Sequence, residues 1–401
     1  MLEQKTRSDY MAIVNLGTYP PKQCGIATFS NDLRNSLTIH DNDVKVIAIS
    51  DNSYSYQYSE EVIFEINQNQ KKDYINAAHM VNRSDDIELV ILQHEYGIFG
   101  GKSGQYILEF TKLLRKPYVL VTHTVLPKPE RHRKQVLKQI SRKASGIVCM
   151  TEQSKELLVN LYGATPEVIS VIGHGVPEFK GGSQAELKEK YNLTGKQVIS
   201  TFGLIGPGKG LELGIKAVKK VTQQYPDVLF LILGQTHPML KKTEGEKYRE
   251  MLEDLVEKLD LKDNVRFVNK YLTDDEIGEY LYATDIYLSP YPNKDQAVSG
   301  TLAFAVGCGR AIVATAYSYA KEVLSDNRGL MDEKIDPDNL ARLMVQILSD
   351  EELKETLQNN ALALGKEWTW PSIGMKYTDM FHQIINGGNR QEGYRYNYAE
   401  L

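Results

Sequence analysis

The fold is decided by one stretch near the middle of the chain, Thr201-Phe202-Gly203-Leu204-Ile205-Gly206-Pro207-Gly208-Lys209-Gly210. An apolar run that includes Val198 and Ile199 precedes it, which indicates a buried strand. Apolar residues follow it at the i, i+4 and i+7 spacing of a helix face, namely Leu211, Ile215 and Val218. The pattern therefore predicts a strand, a glycine-rich turn and a helix, in that order.

A helix that begins after such a turn favours the binding of anions. Its first backbone N–H groups have no partners within the helix, and the positive end of its dipole lies at the same place. Lys209 adds a full positive charge. We expect Lys209 and the amides of Gly208 and Gly210 to bind a phosphate group close to Gly203. A tight turn that binds nothing is the alternative.

The turn is not the P-loop of ATP- and GTP-binding proteins. Gly203, Gly208 and Lys209 fit most of the pattern G-x-x-x-x-G-K-[ST], but Gly210 occupies the last position. The hydroxyl that would hold Mg²⁺ beside the phosphates is therefore missing. This departure excludes a P-loop NTPase.

The composition is that of an ordinary globular protein with room for two domains. The chain has 401 residues, of which 42% are hydrophobic and 25% charged, and its formal net charge is −5. Such a charge does not favour nucleic-acid binding. Three widely spaced cysteines favour a reducing compartment and argue against structural zinc. With no signal-peptide core in residues 1–10 and no run as long as a membrane span, we expect a cytoplasmic protein.

Short apolar runs alternate with helical stretches along the whole chain, which is typical of βαβ units and parallel sheets. About eleven strands are predicted, six before residue 175 and five after residue 195. We expect an α/β protein with two doubly wound, Rossmann-like domains that face each other across a cleft. The expected boundaries are a first domain at 1–178, a linker at 179–195, a second domain at 196–370, a helix at 371–385 that can cross back to the first domain, and a polar tail at 386–401.

Candidate site residues recur at one position in this predicted topology. Ligands of open parallel sheets bind beyond the carboxyl ends of the strands. In both halves of the chain, the segments that follow predicted strands carry glycines and polar side chains. These segments are 17–29, 93–101, 122–124, 203–210, 234–238 and 289–301.

Several motifs in these segments make the chain resemble the retaining glycosyltransferases of family 4, which have the GT-B fold. The resemblance covers nearly the whole chain. It rests on Pro20-Pro21-x3-Gly25-Ile26-Ala27-Thr28-Phe29, on His123, on Gly203-x5-Lys209-Gly210, on Ala305-x2-Cys308-Gly309-Arg310-Ala311-Ile312-Val313-Ala314 and on 335–341. It implies transfer of a hexosyl group from a nucleoside diphosphate sugar to a glycan, lipid-linked or small-molecule acceptor. It also implies retention at the anomeric carbon, no metal ion and no cofactor beyond the donor substrate.

The resemblance also assigns the two domains and their residues. It implies that the first domain binds the acceptor and the second the nucleotide sugar, with His123 near the reacting sugar. By itself, a histidine at a strand end is more often a capping or core residue. The donor-binding set is Gly25, Ile26, Gly203, Gly208, Lys209, Gly210, Gln296, Ser299, Gly300 and Thr301.

Two departures from the family pattern concern the donor. Leu204 stands where the family usually has an arginine that helps to hold the diphosphate. The usual Glu-x7-Glu pair, which contacts the donor sugar and the ribose, aligns with Gln296 and Phe304. An amide can still bond sugar hydroxyls, but a phenyl ring cannot accept a hydrogen bond from the ribose. These departures put the identity of the donor in doubt.

On the acceptor side, we hypothesise that His94, Glu95 and Tyr96 line the site and that Glu95 orients an acceptor hydroxyl. A salt bridge from Glu95 to a lysine is an equally good interpretation. Two other functions stay open: a GT-B phosphorylase or nucleotide-sugar epimerase, and a non-catalytic sugar-nucleotide-binding subunit. The oligomeric state is not predicted.

The segment 128–143 carries seven Lys or Arg residues against Glu130, with a short apolar stripe of Val136, Leu137 and Ile140. A basic amphipathic helix can lie on the inner face of a membrane or bind an anionic acceptor. A solvated charged helix face is the favoured alternative, because the stripe is short.

Overall fold

The computed structural model describes residues 11–52, 55–179 and 181–387. These residues form two α/β units, each built around a parallel sheet. The N-terminal segment 1–10 and residues 388–401 of the predicted tail, with its three tyrosines, lie outside the described residues. Within the described ranges, no helix has both the length and the apolar character that crossing a bilayer requires.

The first sheet has seven strands within the described residues, in the order β3-β2-β1-β4-β5-β6-β7. Every neighbouring pair is parallel. The strands are β1 (Met11–Gly17), β2 (Asn42–Ser50), β3 (Val62–Asn67), β4 (Leu89–His94), β5 (Tyr118–Thr122), β6 (Gly146–Cys149) and β7 (Ile169–Val171).

The second sheet has six strands in the described part of the chain, in the order β10-β9-β8-β11-β12-β13, and its pairs are also parallel. The strands are β8 (Gln197–Phe202), β9 (Val228–Leu233), β10 (Val265–Val268), β11 (Ile286–Ser289), β12 (Ala311–Thr315) and β13 (Leu330–Asp332).

The helices cover the faces of the two sheets. In the first half they are α1 (Gly25–Ile39), α2 (Lys71–Arg83), α3 (Ile107–Leu113), α4 (Arg131–Ser141) and α5 (Glu152–Asn160). In the second half they are α6 (Gln184–Lys190), α7 (Leu211–Val221), α8 (Pro238–Glu244), α9 (Lys247–Lys258), α10 (Asp274–Ala283), α11 (Gly300–Gly307), α12 (Ser318–Val323), α13 (Pro337–Ser349), α14 (Glu351–Glu367) and α15 (Trp370–Ile385). The predicted α/β class with two parallel-sheet units is confirmed.

The structure adds two strands to the eleven that were predicted. β3 and β13 are edge strands, and neither presents a continuous apolar run. β3 alternates between half-buried and exposed residues, and β13 is only three residues long. An edge strand needs to bury less surface than a central one, so its sequence signal is weaker.

The chain crosses between the two units twice, and the crossings are bonded to each other. Val176, on the first crossing, donates its N–H to the carbonyl of Trp368 at 2.8 Å. Trp370, on the return crossing, donates its N–H to the carbonyl of Val176 at 3.1 Å. Beyond this point α15 packs on α1 of the first unit, where Asn42 Nδ2 donates to Thr378 Oγ1 at 3.0 Å.

Part of the segment 179–195, predicted as a linker, is built into the second unit. It contains α6, whose Leu187 is buried in the core. Lys188 Nζ lies 2.6 Å from the carboxylate of Asp285. The polar character that suggested a linker reflects the exposed face of this short helix.

The basic segment 128–143 contains α4. Its apolar stripe, Val136, Leu137 and Ile140, is buried in the core of the first unit. The stripe is therefore not available to a bilayer, and only the basic face of the helix reaches solvent.

Two carboxyl groups face the cleft from opposite units, Asp32 on α1 and Asp274 on α10. Burial, together with the charge of Asp274, raises the pKa of Asp32 to about 7. A hydrogen bond from Asn31 Nδ2, at 3.4 Å, acts in the opposite direction. The folded protein therefore binds a proton at Asp32 that the unfolded chain, with an ordinary pKa of 3.8, releases.

This shift predicts how Asp32→Asn changes stability with pH. Between about pH 4 and pH 7 the folded state binds more protons at this site than the unfolded state, so stability falls as the pH rises. We expect the variant to match the wild-type melting temperature at pH 4 and to exceed it by a few degrees at pH 8. Thermal unfolding followed by circular dichroism measures both. Asp254→Asn, an exposed change on α9, is the control, and a less stable Asp32→Asn at pH 8 would contradict the prediction.

Candidate functional site

The carboxyl ends of both sheets open onto one cavity of about 450 Å³ between the two units. Ten of the residues predicted from sequence line it. These are Gly25, Ile26, Glu95, His123, Gly203, Lys209, Gln296, Ser299, Gly300 and Thr301. Four others, His94, Tyr96, Gly208 and Gly210, do not line it.

The glycine-rich turn brings Lys209 back over the end of β8. Gly203 has a φ of +128°, a conformation that favours glycine. A Cβ atom at this position would lie 3.5 Å from Lys209 Nζ. A single turn of 3₁₀ helix at 207–209 then leads to α7, which begins at Leu211. The lysine ammonium therefore lies beside the end of the strand, at the floor of the cleft.

The amides of Gly208 and Gly210 were predicted to bind phosphate, but neither glycine lines the cavity. Gly210 is left-handed, with a φ of +61°, and its N–H donates to the carbonyl of Pro207 at 3.3 Å. The carbonyl oxygen of Pro290 would lie 2.2 Å from a Cβ atom at Gly210. Gly210 thus allows two backbone segments to meet, and its amide is used within the turn.

Hydroxyl groups surround Lys209 in the second unit. Lys209 Nζ donates to Tyr291 Oη at 2.6 Å, and this oxygen lies 2.9 Å from Thr301 Oγ1. Ser299 Oγ lies 3.4 Å from Tyr291 Oη and caps α11 by accepting from the amide of Leu302. The start of α11 and Lys209 therefore converge on one side of the cleft.

The pKa of Tyr291 reflects this environment. Burial raises it, but the positive charge of Lys209 and the hydrogen bonds with Lys209, Ser299 and Thr301 lower it, and the net shift is downward. Tyr291 follows β11 within the segment 289–301 that the sequence placed at the sheet edge. Its part at the site was not predicted, because no motif marks the tyrosine.

On the other side of the cleft, His123 is held in one orientation. Its Nε2 lies 2.9 Å from Gln93 Oε1, and Gln93 Nε2 donates to Asn15 Oδ1 at 3.0 Å. Because an amide oxygen only accepts, Nε2 of His123 carries the proton. Burial, together with the nearby His174 and His94, lowers the pKa of His123 to about 3. His123 is therefore a neutral ring with a defined tautomer.

Glu95 has hydrogen-bond donors rather than a lysine as its partners. Its carboxylate accepts from the hydroxyl of Thr124 and, at 2.8 Å, from the amide of Tyr96. Burial raises the pKa of Glu95, although these bonds and the charge of Arg133 counteract the rise. Among the described residues Glu95 therefore has no lysine partner and lies at the cleft, and its role toward an acceptor stays a prediction.

His94 and Tyr96 lie behind Glu95, in the core. Neither ring nitrogen of His94 has a hydrogen-bond partner among the described residues, and burial lowers the pKa of this histidine to about 3. The Tyr96 ring packs edge-on against it, with 4.8 Å between ring centroids. Because successive side chains at a strand end point to opposite sides, Glu95 reaches the cleft and its neighbours do not.

The residues at which this sequence departs from the family pattern also line the cleft. Leu204 stands next to Gly203 without adding charge. Gln296 Nε2 donates to the carbonyl of Val298 at 2.9 Å. The ring of Phe304 packs against Phe179 and Phe202, with centroids 5.6 and 5.9 Å apart. Phe304 therefore belongs to an aromatic cluster at the wall.

Polar contacts close the cleft across the two units. Gln235 Nε2 donates to Gln23 Oε1 at 3.0 Å. The carboxylate of Glu322 on α12 accepts from the amide of Glu152, at 2.7 Å, where α5 begins. Cys24, which is partly exposed, lies on the cleft wall just before α1.

The two turn glycines give a matched pair of variants. We expect Gly210→Ala to lower stability by at least about 1 kcal/mol, because alanine is strained at positive φ and its methyl group meets the Pro290 carbonyl. Gly208→Ala has open space around its new methyl group, and we expect a wild-type melting temperature. Thermal unfolding compares the two. Equal melting temperatures would contradict the assignment of Gly210 to the turn geometry.

Two family profiles match the chain and together cover both units. The profile described as Glycosyltransferase Family 4 matches residues 24–178. The profile described as Glycosyl transferases group 1 matches residues 183–363. All the residues named above as lining the cavity fall within these two ranges.

Curated relatives are similar to this chain at low sequence identity over long alignments. The D-inositol 3-phosphate glycosyltransferase of Corynebacterium kroppenstedtii is 25% identical over 304 residues, which is 71% of this chain and 66% of the relative. The GPI3 subunit of the phosphatidylinositol N-acetylglucosaminyltransferase of Saccharomyces cerevisiae is 21% identical over 243 residues, 59% of this chain and 50% of the relative. The matches thus span between half and two thirds of these relatives' own length.

Solved structures share the arrangement of the two units. Sucrose-phosphate synthase from Thermosynechococcus elongatus superposes with a TM-score of 0.76 at 16% identity, covering 94% of this chain and 99% of that one. The Anabaena protein HepE, solved in complex with UDP, superposes with a TM-score of 0.69 at 17% identity, covering 93% and 100%. The superpositions show that the chain has the GT-B fold. The two profiles, matched in order over the two units, show that it is a family 4-like glycosyltransferase.

Proposed function

We propose that this protein is a retaining, metal-independent hexosyltransferase that uses a nucleoside diphosphate sugar as donor. The observation that carries the proposal is the position of Lys209, whose ammonium lies beside Gly203 and the start of α11 in the cleft. Family membership supports the transfer reaction. HepE, a structural neighbour, has been solved with UDP and with UDP-glucose, so UDP-sugars are the first donors to test. A glycan, a lipid-linked sugar or a small molecule is the proposed acceptor.

The phosphate end of the donor would lie on the second unit. When the bond between the sugar and the diphosphate breaks, negative charge develops on the leaving phosphate, and fixed donors stabilise it. Lys209, the hydroxyl of Thr301 and the first amides of α11 can supply these donors. Gly25 and Ile26, at the start of α1 on the opposite wall, offer backbone amides from the first unit.

The sugar end would lie near His123. As its bond to the phosphate breaks, the sugar ring becomes positively charged. A neutral imidazole can accept a hydrogen bond there without adding a competing positive charge. Gln296 uses its amide N–H on Val298, which leaves its carbonyl oxygen to accept from sugar hydroxyls.

The reaction would proceed on one face of the sugar. The bond from the anomeric carbon to the diphosphate oxygen breaks, and a bond from the same carbon to the acceptor oxygen forms on that face. The proton of the acceptor hydroxyl passes to the leaving phosphate. Glu95, held by Thr124 and by the amide of Tyr96, would orient the acceptor hydroxyl.

Donor binding is tested by thermal shift with UDP-, GDP- and ADP-sugars and the free nucleotides, without divalent metal. A ligand that binds only the folded state raises the melting temperature, and the rise grows with the logarithm of the ligand concentration relative to its dissociation constant. We expect one base to stabilise the wild type clearly more than the others. Lys209→Ala should weaken that binding roughly 10- to 100-fold, the usual effect of losing a charged hydrogen bond. Its melting temperature without ligand should change little.

Lys216→Ala is the matched control, because Lys216 is exposed on α7 and does not line the cleft. Equal donor affinity in Lys209→Ala would refute the assignment of the phosphate site. A response to inorganic phosphate or free sugar, with none to nucleotides, would favour the phosphorylase. Conversion of the donor without transfer would favour the epimerase. Binding without turnover over a broad acceptor panel would favour the non-catalytic subunit.

The stereochemistry is read from the product, and the metal dependence is read from the reaction rate. Proton NMR of the first product formed should show the anomeric configuration of the donor. The initial rate should be unchanged when EDTA is added. An inverted product, or a rate that EDTA abolishes and Mg²⁺ or Mn²⁺ restores, would contradict the retaining or the metal-independent part of the proposal.

A further inference from the structure

The partner of Lys209 is a phenol. Lys209 Nζ lies 2.6 Å from Tyr291 Oη, and its charge lies 4.6 Å from the centroid of the same ring. Other lysines in the described residues contact a carboxylate, as Lys188 does with Asp285. A carboxylate beside Lys209 would compete with an incoming phosphate for the ammonium, whereas a neutral phenol would not.

The donors in this cluster have a defined direction. The ammonium of Lys209 can only donate, so Tyr291 Oη accepts from it. The phenol proton is then directed to another oxygen, and Thr301 Oγ1 is the nearer at 2.9 Å. Ser299 Oγ, at 3.4 Å, is further away and is already engaged as the cap of α11. The charge of Lys209 therefore polarises the Tyr291 hydroxyl and, through it, that of Thr301.

Tyr291 is fixed well enough to set this geometry. Its side chain is buried and its ring stacks on Tyr317, with centroids 5.1 Å apart. Its own carbonyl accepts from Thr315 Oγ1 at 2.5 Å. The carbonyl of the preceding residue, Pro290, packs closely on Gly210, next to Lys209 in the chain. The phenol oxygen therefore has little freedom to move.

We propose that Tyr291 is a positioning residue for the diphosphate: its hydroxyl holds the Lys209 ammonium beside Gly203. This inference rests on the proposed function, because it specifies how that phosphate site works. It also accounts for Leu204. Because Leu204 adds no charge beside Gly203, phosphate binding there depends on how accurately the Lys209 ammonium is placed.

The test compares Tyr291→Phe with Tyr317→Phe. Both changes remove one buried phenol oxygen, but that of Tyr317 bonds Ser289 Oγ at 2.8 Å rather than Lys209. Calorimetry measures affinity for three probes: the nucleoside diphosphate that stabilises the wild type most among UDP, GDP and ADP, its parent nucleoside, and inorganic pyrophosphate. We expect Tyr291→Phe to bind both diphosphates about tenfold more weakly and the nucleoside within twofold of the wild type. Tyr317→Phe should bind all three normally.

A double-variant cycle with Lys209→Ala separates positioning from general damage to the fold. If Tyr291 acts through Lys209, adding Tyr291→Phe to Lys209→Ala should weaken diphosphate binding by no more than twofold. Losses that multiply, or a wild-type affinity in Tyr291→Phe, would overturn the inference. So would equal weakening of nucleoside and diphosphate. Circular dichroism and thermal unfolding verify that each variant is folded.

The outcomes also separate this inference from the proposed function. Wild-type protein that binds pyrophosphate but no nucleotide would contradict the nucleotide-sugar donor, and the pyrophosphate measurements would still decide the role of Tyr291. Wild-type protein that binds neither would overturn both. Normal nucleotide binding in the wild type and in Tyr291→Phe would remove the inference and leave the proposed function intact.

Discussion

The paired crossings at Val176 and Trp368–Trp370 are the constraint on which the site depends. Two sheets joined by one flexible linker could take many relative orientations. Here the chain passes between them twice, the passages bond each other, and α15 is anchored on α1. The carboxyl ends of the two sheets are therefore held opposite each other, and loops far apart in sequence share one cavity.

Within that cavity, the electrostatics are divided between the walls. The second unit supplies a lysine, hydroxyls and the start of α11, an environment that favours negative charge. The first unit supplies His123, which is neutral, and Glu95, whose pKa is raised by burial. A reaction that separates positive from negative charge along one bond fits a cleft with this polarity.

Much of this arrangement could be predicted from the sequence. The features that could not be predicted were missed for physical reasons. Central strands bury both faces, so their continuous apolar runs identified the two sheets; the edge strands β3 and β13 lack such runs. The carboxyl ends of the strands lie at one edge of each sheet, and these two edges face the same cleft, which is why Glu95, His123 and Lys209 were predicted to lie together. Which neighbours face the cleft depends on the side-chain alternation at each strand end, and this placed His94 and Tyr96 in the core. The pairing of Lys209 with Tyr291 spans 82 residues and has no local signal.

The three cysteines differ in exposure, and the one that is partly exposed lies at the cleft, where a thiol reagent can react with it. Cys149 and Cys308 are buried, and burial raises the pKa of each thiol to about 12. Cys24 is partly exposed on the cleft wall, where α1 of the first unit faces the second. A thiol-directed fluorophore or spin label would therefore attach at the cleft of the unaltered protein. Its signal would report any change in the separation of the two units without an engineered attachment point.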